Sequence, residues 1–252
     1  LLWQHHFGTG LVSTPNDFGQ TGTKRSHPEL LDWLAGELIR HDWRLKPIHR
    51  LLMTSAAYQQ ATATSDQDAA EEAVALFVRR RPQRLEGEAL RDSLLAISGK
   101  LDPSMYGPGT KDERSVRRSI YFTMKRSQLI GSMVVFDQPE PLVSQGSRPV
   151  TTVAPQALLL MNGPQVREWA ESFARRVETE ANPPNDFAPI VQRVFANALN
   201  RAASSVELSE ATAFLEHQSA SYVRDGNSAP RTMALADLCQ IVFAMNEFAY
   251  ID

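Results

Sequence analysis

Cysteine is almost missing from this chain, with Cys239 the single one in 252 residues. An intrachain disulfide is therefore excluded, as is a zinc centre built from paired thiolates. That suits a reducing compartment, but a chain of this length needs no disulfide to fold, so export remains compatible. Apolar runs of membrane-spanning length are absent, and no stretch has the pattern of a secretory leader. Neither sign of charge dominates. A formal net charge of −3 gives no general pull towards nucleic acid or an anionic membrane. The common catalytic phrases are missing as well: a Gly-rich phosphate loop, G-x-S-x-G, H-E-x-x-H and C-x-x-C.

What is present is an ordinary globular composition, 42% apolar and 22% charged, on a chain long enough to bury a substantial core. No internal repeat or low-complexity linker interrupts it, so residues 1–252 are expected to form a single helical domain. The opening Leu1-Leu2-Trp3 carries no initiator Met, which points to a fragment of a longer polypeptide.

The stretch from Thr14 to Trp43 concentrates the most local information. Thr14-Pro15-Asn16-Asp17-Phe18-Gly19 has turn chemistry, because Pro fixes φ, Asn and Asp bond their own backbone, and Gly accepts positive φ. Ser26-His27-Pro28-Glu29 matches a capping box with Pro in the first turn, predicting a helix from Ser26 to His41. Leu30, Leu34 and Leu38, with Leu31, Ala35 and Ile39 one row over, give that helix a wide apolar stripe. Asp17, His27 and Asp32 fall near one helix N-terminus. They are the candidate acid/base residues, although turns and caps employ the same residue types everywhere.

Elsewhere the chain reads as helices separated by Pro- and Gly-rich breaks. Trp3 to Val12 is expected to be extended. Helices are predicted over Pro47–Tyr58, Arg84–Gly99, Val153–Asn162, Pro164–Glu180, Phe187–Leu199, Ser204–Val223 and Arg231–Asn246. A second capping box, Ser204-Ser205-Val206-Glu207, opens the penultimate one, and Thr152 is placed as the cap of the Val153–Asn162 helix. Ala61 to Ala73 is polar and acidic and reads as a loop with a short helix. The arginines at 79, 80, 81 and 84 read as a solvated or ion-paired face, and Asn182–Asn185 as a clear break. Ser119–Met124 is predicted as a short strand, Ser127–Phe136 leans helical, and Asp102–Asp112 is a long loop suited to the rim of a site. Arg118, Tyr121 and Arg148 are the candidate binding residues for an anionic group. The expected fold is mostly α: an irregular bundle of six to seven helices with long loops and at most a short strand pair.

Several longer phrases run in order along the chain: Trp3–Gly19 with TPNDFG, HPELLDWLA at His27–Ala35, and RLEGEALRDSLLAISGKLD at Arg84–Asp102. LK-x-x-HRL-x-x-TSAAYQQ at Leu45–Gln60, R-x-IY at Arg118–Tyr121, RPVTTVAPQALLLMN at Arg148–Asn162 and NEFAYID at Asn246–Asp252 belong to the same set. Together they resemble a C-terminal domain of unknown function found in large planctomycete proteins. The resemblance implies an exported or periplasmic multidomain setting, often with a cytochrome-c-like haem domain elsewhere in the polypeptide. It supplies no reaction and no catalytic residues. No cofactor is expected in this chain itself, since C-x-x-C-H haem attachment is absent.

Two functions compete. One is a non-catalytic docking or scaffold module whose partners are other domains of the same polypeptide, with neither nucleic acid binding nor membrane insertion. Its partner-facing surface would include Arg148–Thr152 and Asn246–Asp252. The other is an acid/base hydrolase acting on a polymer such as a polysaccharide, with Asp17, His27 and Asp32 at its centre and an anionic ligand held near Tyr121. A metal site drawing on His5, His6 and His27 is a third, weaker reading, and no metal ligands are assigned.

Overall fold

The computed structural model describes residues 1–60, 77, 82–181 and 186–251. The predicted acidic loop and short helix at 61–73, the arginines at 79–81 and the break at 182–185 lie outside the described residues. Among the described residues the architecture is helical, and a single two-stranded pair joins β1 (Gln83–Arg84) to β2 (Tyr250–Ile251). The chain divides into two compact units. Unit 1 comprises Leu1–Gln83, Ser144–Arg148 and Ile251–Asp252; unit 2 comprises Arg84–Val143 and Pro149–Tyr250.

Unit 1 contains α1 (Leu2–Phe7), α2 (Pro28–Arg40) and α3 (Leu45–Met53). The segment expected to be extended is thus helical over its first half. Trp3 and Phe7, four residues apart, stack with ring centroids 4.0 Å apart, a pairing that only a helix provides at this spacing. Gly8, at φ 80, ends the helix. Trp3, Leu11, Ile48 and Leu52 form the small core, with the predicted stripe of Leu30, Leu31, Leu34 and Leu38 packed against it. His6 Nε2 lies 2.7 Å from His49 Nδ1, which ties α1 to α3.

The predicted capping box at Ser26 does not form. His27 occupies the N-cap, Pro28 opens the helix, and no side chain caps it. Ser26 is engaged elsewhere, since its amide and its hydroxyl both donate to the Leu11 carbonyl, at 2.9 and 3.2 Å. A long-range acceptor has outcompeted a local one.

Unit 2 holds α4 (Gly87–Ile97), α5 (Gly131–Val135), α6 (Ala154–Asn162), α7 (Pro164–Glu180), α8 (Ala188–Leu199), α9 (Ser205–Arg224), α10 (Pro230–Phe243) and α11 (Asn246–Ala249). Helix α7 has the predicted boundaries, and Val166, Ala170, Phe173 and Val177 are all buried as the periodicity requires. It packs on α10, where Phe173 stacks with Phe243 at 5.7 Å. Helix α10 buries Ala234, Leu235, Ala236, Leu238, Cys239, Val242 and Phe243, so it is apolar around most of its circumference and forms the middle of the core. Burial pushes the Cys239 thiol well above its usual range, so it stays protonated and inert. Ile241, three residues from the buried Leu238, is nevertheless 49% exposed.

Three further local expectations are corrected. Ser119–Met124 is not a strand; Ser119–Tyr121 forms a single 3-10 turn, with the Tyr121 amide donating to the Arg118 carbonyl. Ser127–Phe136 is helical only over α5. Val153 rather than Thr152 is the N-cap of α6, and the Thr152 hydroxyl instead lies 3.2 Å from the Tyr250 hydroxyl.

The second capping box forms as read. The Glu207 amide donates to Ser204 Oγ, and the Ser204 amide donates to Glu207 Oε2 at 2.7 Å. Arg201 then bridges Glu207 and Glu247 with paired hydrogen bonds of 2.6 to 2.9 Å. These bonds, Arg201 foremost, hold the Glu207 carboxyl down at about 2, against 4.5 for a free glutamate. A lowered folded-state value means that the stabilisation is fully present above the unfolded value and is lost as pH falls through the folded one. Glu207→Gln should therefore lower the melting temperature at neutral pH, and the gap to the parent chain should narrow from about 4.5 down towards 2 in a pH series of thermal melts.

Candidate functional site

The residues singled out from sequence fall on both units. Asp17, His27, Asp32 and Arg148 belong to unit 1; Arg118 and Tyr121 belong to unit 2. Asp17 sits in the turn that was expected: its two carboxylate oxygens accept from the Gly19 amide at 2.8 Å and the Thr21 hydroxyl at 2.6 Å. The Thr21 hydroxyl first, and then the Gly19 amide, hold its carboxyl below the usual range. His27 lies 3.0 Å from Ser26 Oγ through Nδ1, with its ring tilted against Phe77. Asp32 is exposed and pairs with Arg25 at 3.4 Å. Arg148 is half-buried in the 144–148 loop, whose Gly146 backbone presses on the Asn16 side chain. A Cβ on Gly146 would come within 2.3 Å of Asn16 Oδ1, so the TPNDFG and GSRP phrases are in contact only because a glycine stands there. Among the described residues no group of three or more His, Cys, Asp and Glu is placed to hold a metal ion.

In unit 2, the centre that organises the predicted rim is Arg91 of α4. It is 4% exposed. From α4 its guanidinium donates to the carbonyls of Glu113, Ser115 and Arg117 and to Ser119 Oγ, and it lies 4.6 Å from the Phe122 ring centroid. Burial lowers its affinity for a proton, and Asp92, Glu113 and Asp112 counter this. Asp92 continues the clamp, since it accepts from the Ser119 amide at 2.7 Å and from Arg118 Nε at 3.2 Å. Arg117 closes the far end. It donates to the carbonyls of Tyr106 and Pro108 and stacks on Tyr121, 3.7 Å from the ring centroid, while the Tyr121 hydroxyl accepts from the Tyr106 amide. Arg118 and Tyr121 thus lie in one loop with different partners, Asp92 for Arg118 and Arg117 for Tyr121.

A second buried cation, Arg84, meets Asp137 at 2.5 Å, with side-chain exposures of 5% and 11%. Asp137 adopts φ 60 and also accepts from the Thr151 amide (2.9 Å) and hydroxyl (2.7 Å). Burial opposes its ionisation, but the Thr151 bonds and Arg84 outweigh this and hold it below the usual range. Gln156 Nε2 donates to the Val135 carbonyl at 3.0 Å and joins the knot. This is where the phrase RPVTTVAPQ is anchored.

Beside Arg91 lies a cavity of about 280 Å³, lined mainly by Leu90, Leu94, Met133, Phe136, Leu160 and Trp169. Unit 1 has a cleft of about 400 Å³ among Trp3, Leu11, Val12, Leu34, Ile48 and Leu52. None of the six residues predicted from sequence lines either space.

The family model described as PSD1, protein of unknown function (DUF1553), matches residues 1–215. The chain belongs to this family. Comparison with curated proteins and with solved structures finds no match. Membership covers the TPNDFG turn, both buried arginines and the RPVTTVAPQ phrase, and so it covers the anchoring networks of both units.

Sequence reasoning missed Arg84, Arg91 and Asp137. The available signal was weak: Arg91 sits between Leu90 and Leu94 in an otherwise apolar stripe, where a long charged stem is out of place unless it has acceptors. Removing one partner of a buried ion pair leaves a bare charge in the interior, and Asp137→Ala should cost about 3–5 kcal/mol in urea unfolding. Adding Arg84→Met to that variant should recover most of the loss. Arg91→Ala should release the loop, raising amide exchange at residues 113–119 far more than in α7.

Proposed function

We propose that this chain is a non-catalytic docking or scaffold module, engaging other domains of a longer exported polypeptide through the surface around α6. The observation that carries this reading is the exposure of apolar side chains along the phrase that the Arg84–Asp137 knot anchors. Val150, Val153, Leu158 and Met161 are between 45% and 66% exposed, and Leu142 and Val143 just upstream are similarly open. Leu158 and Met161 stand three apart on one outer face of α6, while Gln156 and Leu160 turn inward. Rigid anchoring lowers the ordering cost of association, and exposed aliphatic side chains supply the apolar area that association buries. The exported setting and a haem domain elsewhere in the polypeptide follow from the family resemblance and belong to the same proposal. No helix among the described residues is long and apolar enough to cross a membrane.

The polymer-hydrolase alternative depends on Asp17, His27 and Asp32. Both Asp17 carboxylate oxygens are taken up by Thr21 and Gly19, Asp32 is exposed beside Arg25, and none of the three residues lines either cavity, which favours the docking reading. Mass photometry of the chain mixed with the remaining domains of its polypeptide should show a complex that Leu158→Asp with Met161→Asp dissolves, with the melting temperature unchanged. Absence of any complex, or one indifferent to the double variant, rejects the proposal.

A further inference from the structure

The loop clamped by Arg91 and Arg117 combines features that the net charge of the chain conceals. Between residues 103 and 129 the exposed charged side chains are Lys111, Arg114, Lys125 and Arg126, together with Arg118, which pairs with Asp92, against the single exposed carboxylate of Asp112. Within the same loop Tyr106 is 79% exposed, Ile120 73% and Met105 68%. Side chains with more than two-thirds of their surface in water project from the loop into solvent. The backbone beneath these side chains is already paired: Thr110 donates to the Tyr121 carbonyl, Thr123 to the Thr110 carbonyl and Asp102 to the Val116 carbonyl. No free backbone edge is offered at those positions to an added strand.

Projecting apolar side chains on a hydrogen-bonded support, with exposed cations in the same loop, suit a soft anionic surface into which they can sink. A peptide partner would need a concave seat or an open edge. We infer that the 103–129 loop docks the chain peripherally on an anionic lipid bilayer, with Met105, Tyr106 and Ile120 entering the headgroup region and the surrounding lysines and arginines facing lipid phosphates. This inference is independent of the docking surface around α6. Each cation close to such a surface contributes about 1 kcal/mol, and the interaction decays within a Debye length, so binding must fall with salt.

Co-sedimentation of the full chain with phosphatidylglycerol–phosphatidylcholine vesicles, and separately with pure phosphatidylcholine vesicles, tests this. The expected result is salt-sensitive partitioning onto the anionic vesicles alone. Lys125→Glu with Arg126→Glu should weaken it at least roughly tenfold. Ile120→Ser with Tyr106→Asn should weaken it as well. Asn tolerates the left-handed backbone at position 106 (φ 68), and only the main chain of Tyr106 takes part in the clamp, so the fold is kept and is checked by thermal melting. Three results overturn the inference: no binding to either vesicle, equal binding to both, or binding that survives the charge reversal. A fourth is equally decisive. If soluble polyglutamate binds as tightly as the vesicles and the Ile120/Tyr106 variant changes neither, the surface serves acidic protein chains and not lipid.

Discussion

Arg91 carries a full charge out of water, and the loop from Asp102 to Thr123 has its form because that charge needs acceptors. A guanidinium has five donors and cannot shed its proton in a protein, so burying it is tolerable only where oxygens are brought to it. Here the oxygens are mostly main-chain carbonyls from 113 to 117, which ties a stretch with little regular secondary structure to α4. The 3-10 turn at Ser119–Tyr121, the pairing of Asp92 with Arg118 and the stacking of Arg117 on Tyr121 all follow from holding that loop in place. Arg84 repeats the arrangement with a carboxylate, and in doing so pins Thr151 and orients α6.

These two arginines give the molecule an uncommon division of labour. The hydrophobic core of unit 2, built on α7 and α10, supplies the burial that drives folding. The buried cations add little net stability by comparison, and their hydrogen bonds connect the segments outside the helices to one another and, through Arg91, to α4. The surfaces presented to the outside, around α6 and along 103–129, are both carried by segments fixed in this way. Exposed apolar side chains on ordered backbone are what a binding surface needs, because the entropy of ordering has already been spent during folding.

Legibility in the sequence followed the range of the interactions. Helix α7 could be bounded between Pro164 and Glu180 because its periodicity and its punctuation are both local. The Ser204–Glu207 box could be read because its two bonds join residues three apart. The Ser26 box had the same spelling and failed, since Leu11 offered a carbonyl from fifteen residues away. Trp3 to Val12 was misread because its glycines and aromatics resemble an extended segment until Trp3 and Phe7 are seen to stack.

The sequence by itself determined a helical protein, the positions of most helices, the turn around Asp17 and membership of one family. Tertiary structure alone decided which charged residues are buried, since a charge can enter the interior only where distant segments converge on it with acceptors, and no local pattern encodes that convergence. Little in the local sequence marked Arg91 for burial, and Arg84 read as the end of a basic run. Only the folded chain, by bringing carbonyls to one and a carboxylate to the other, separated them from the arginines that stay in water.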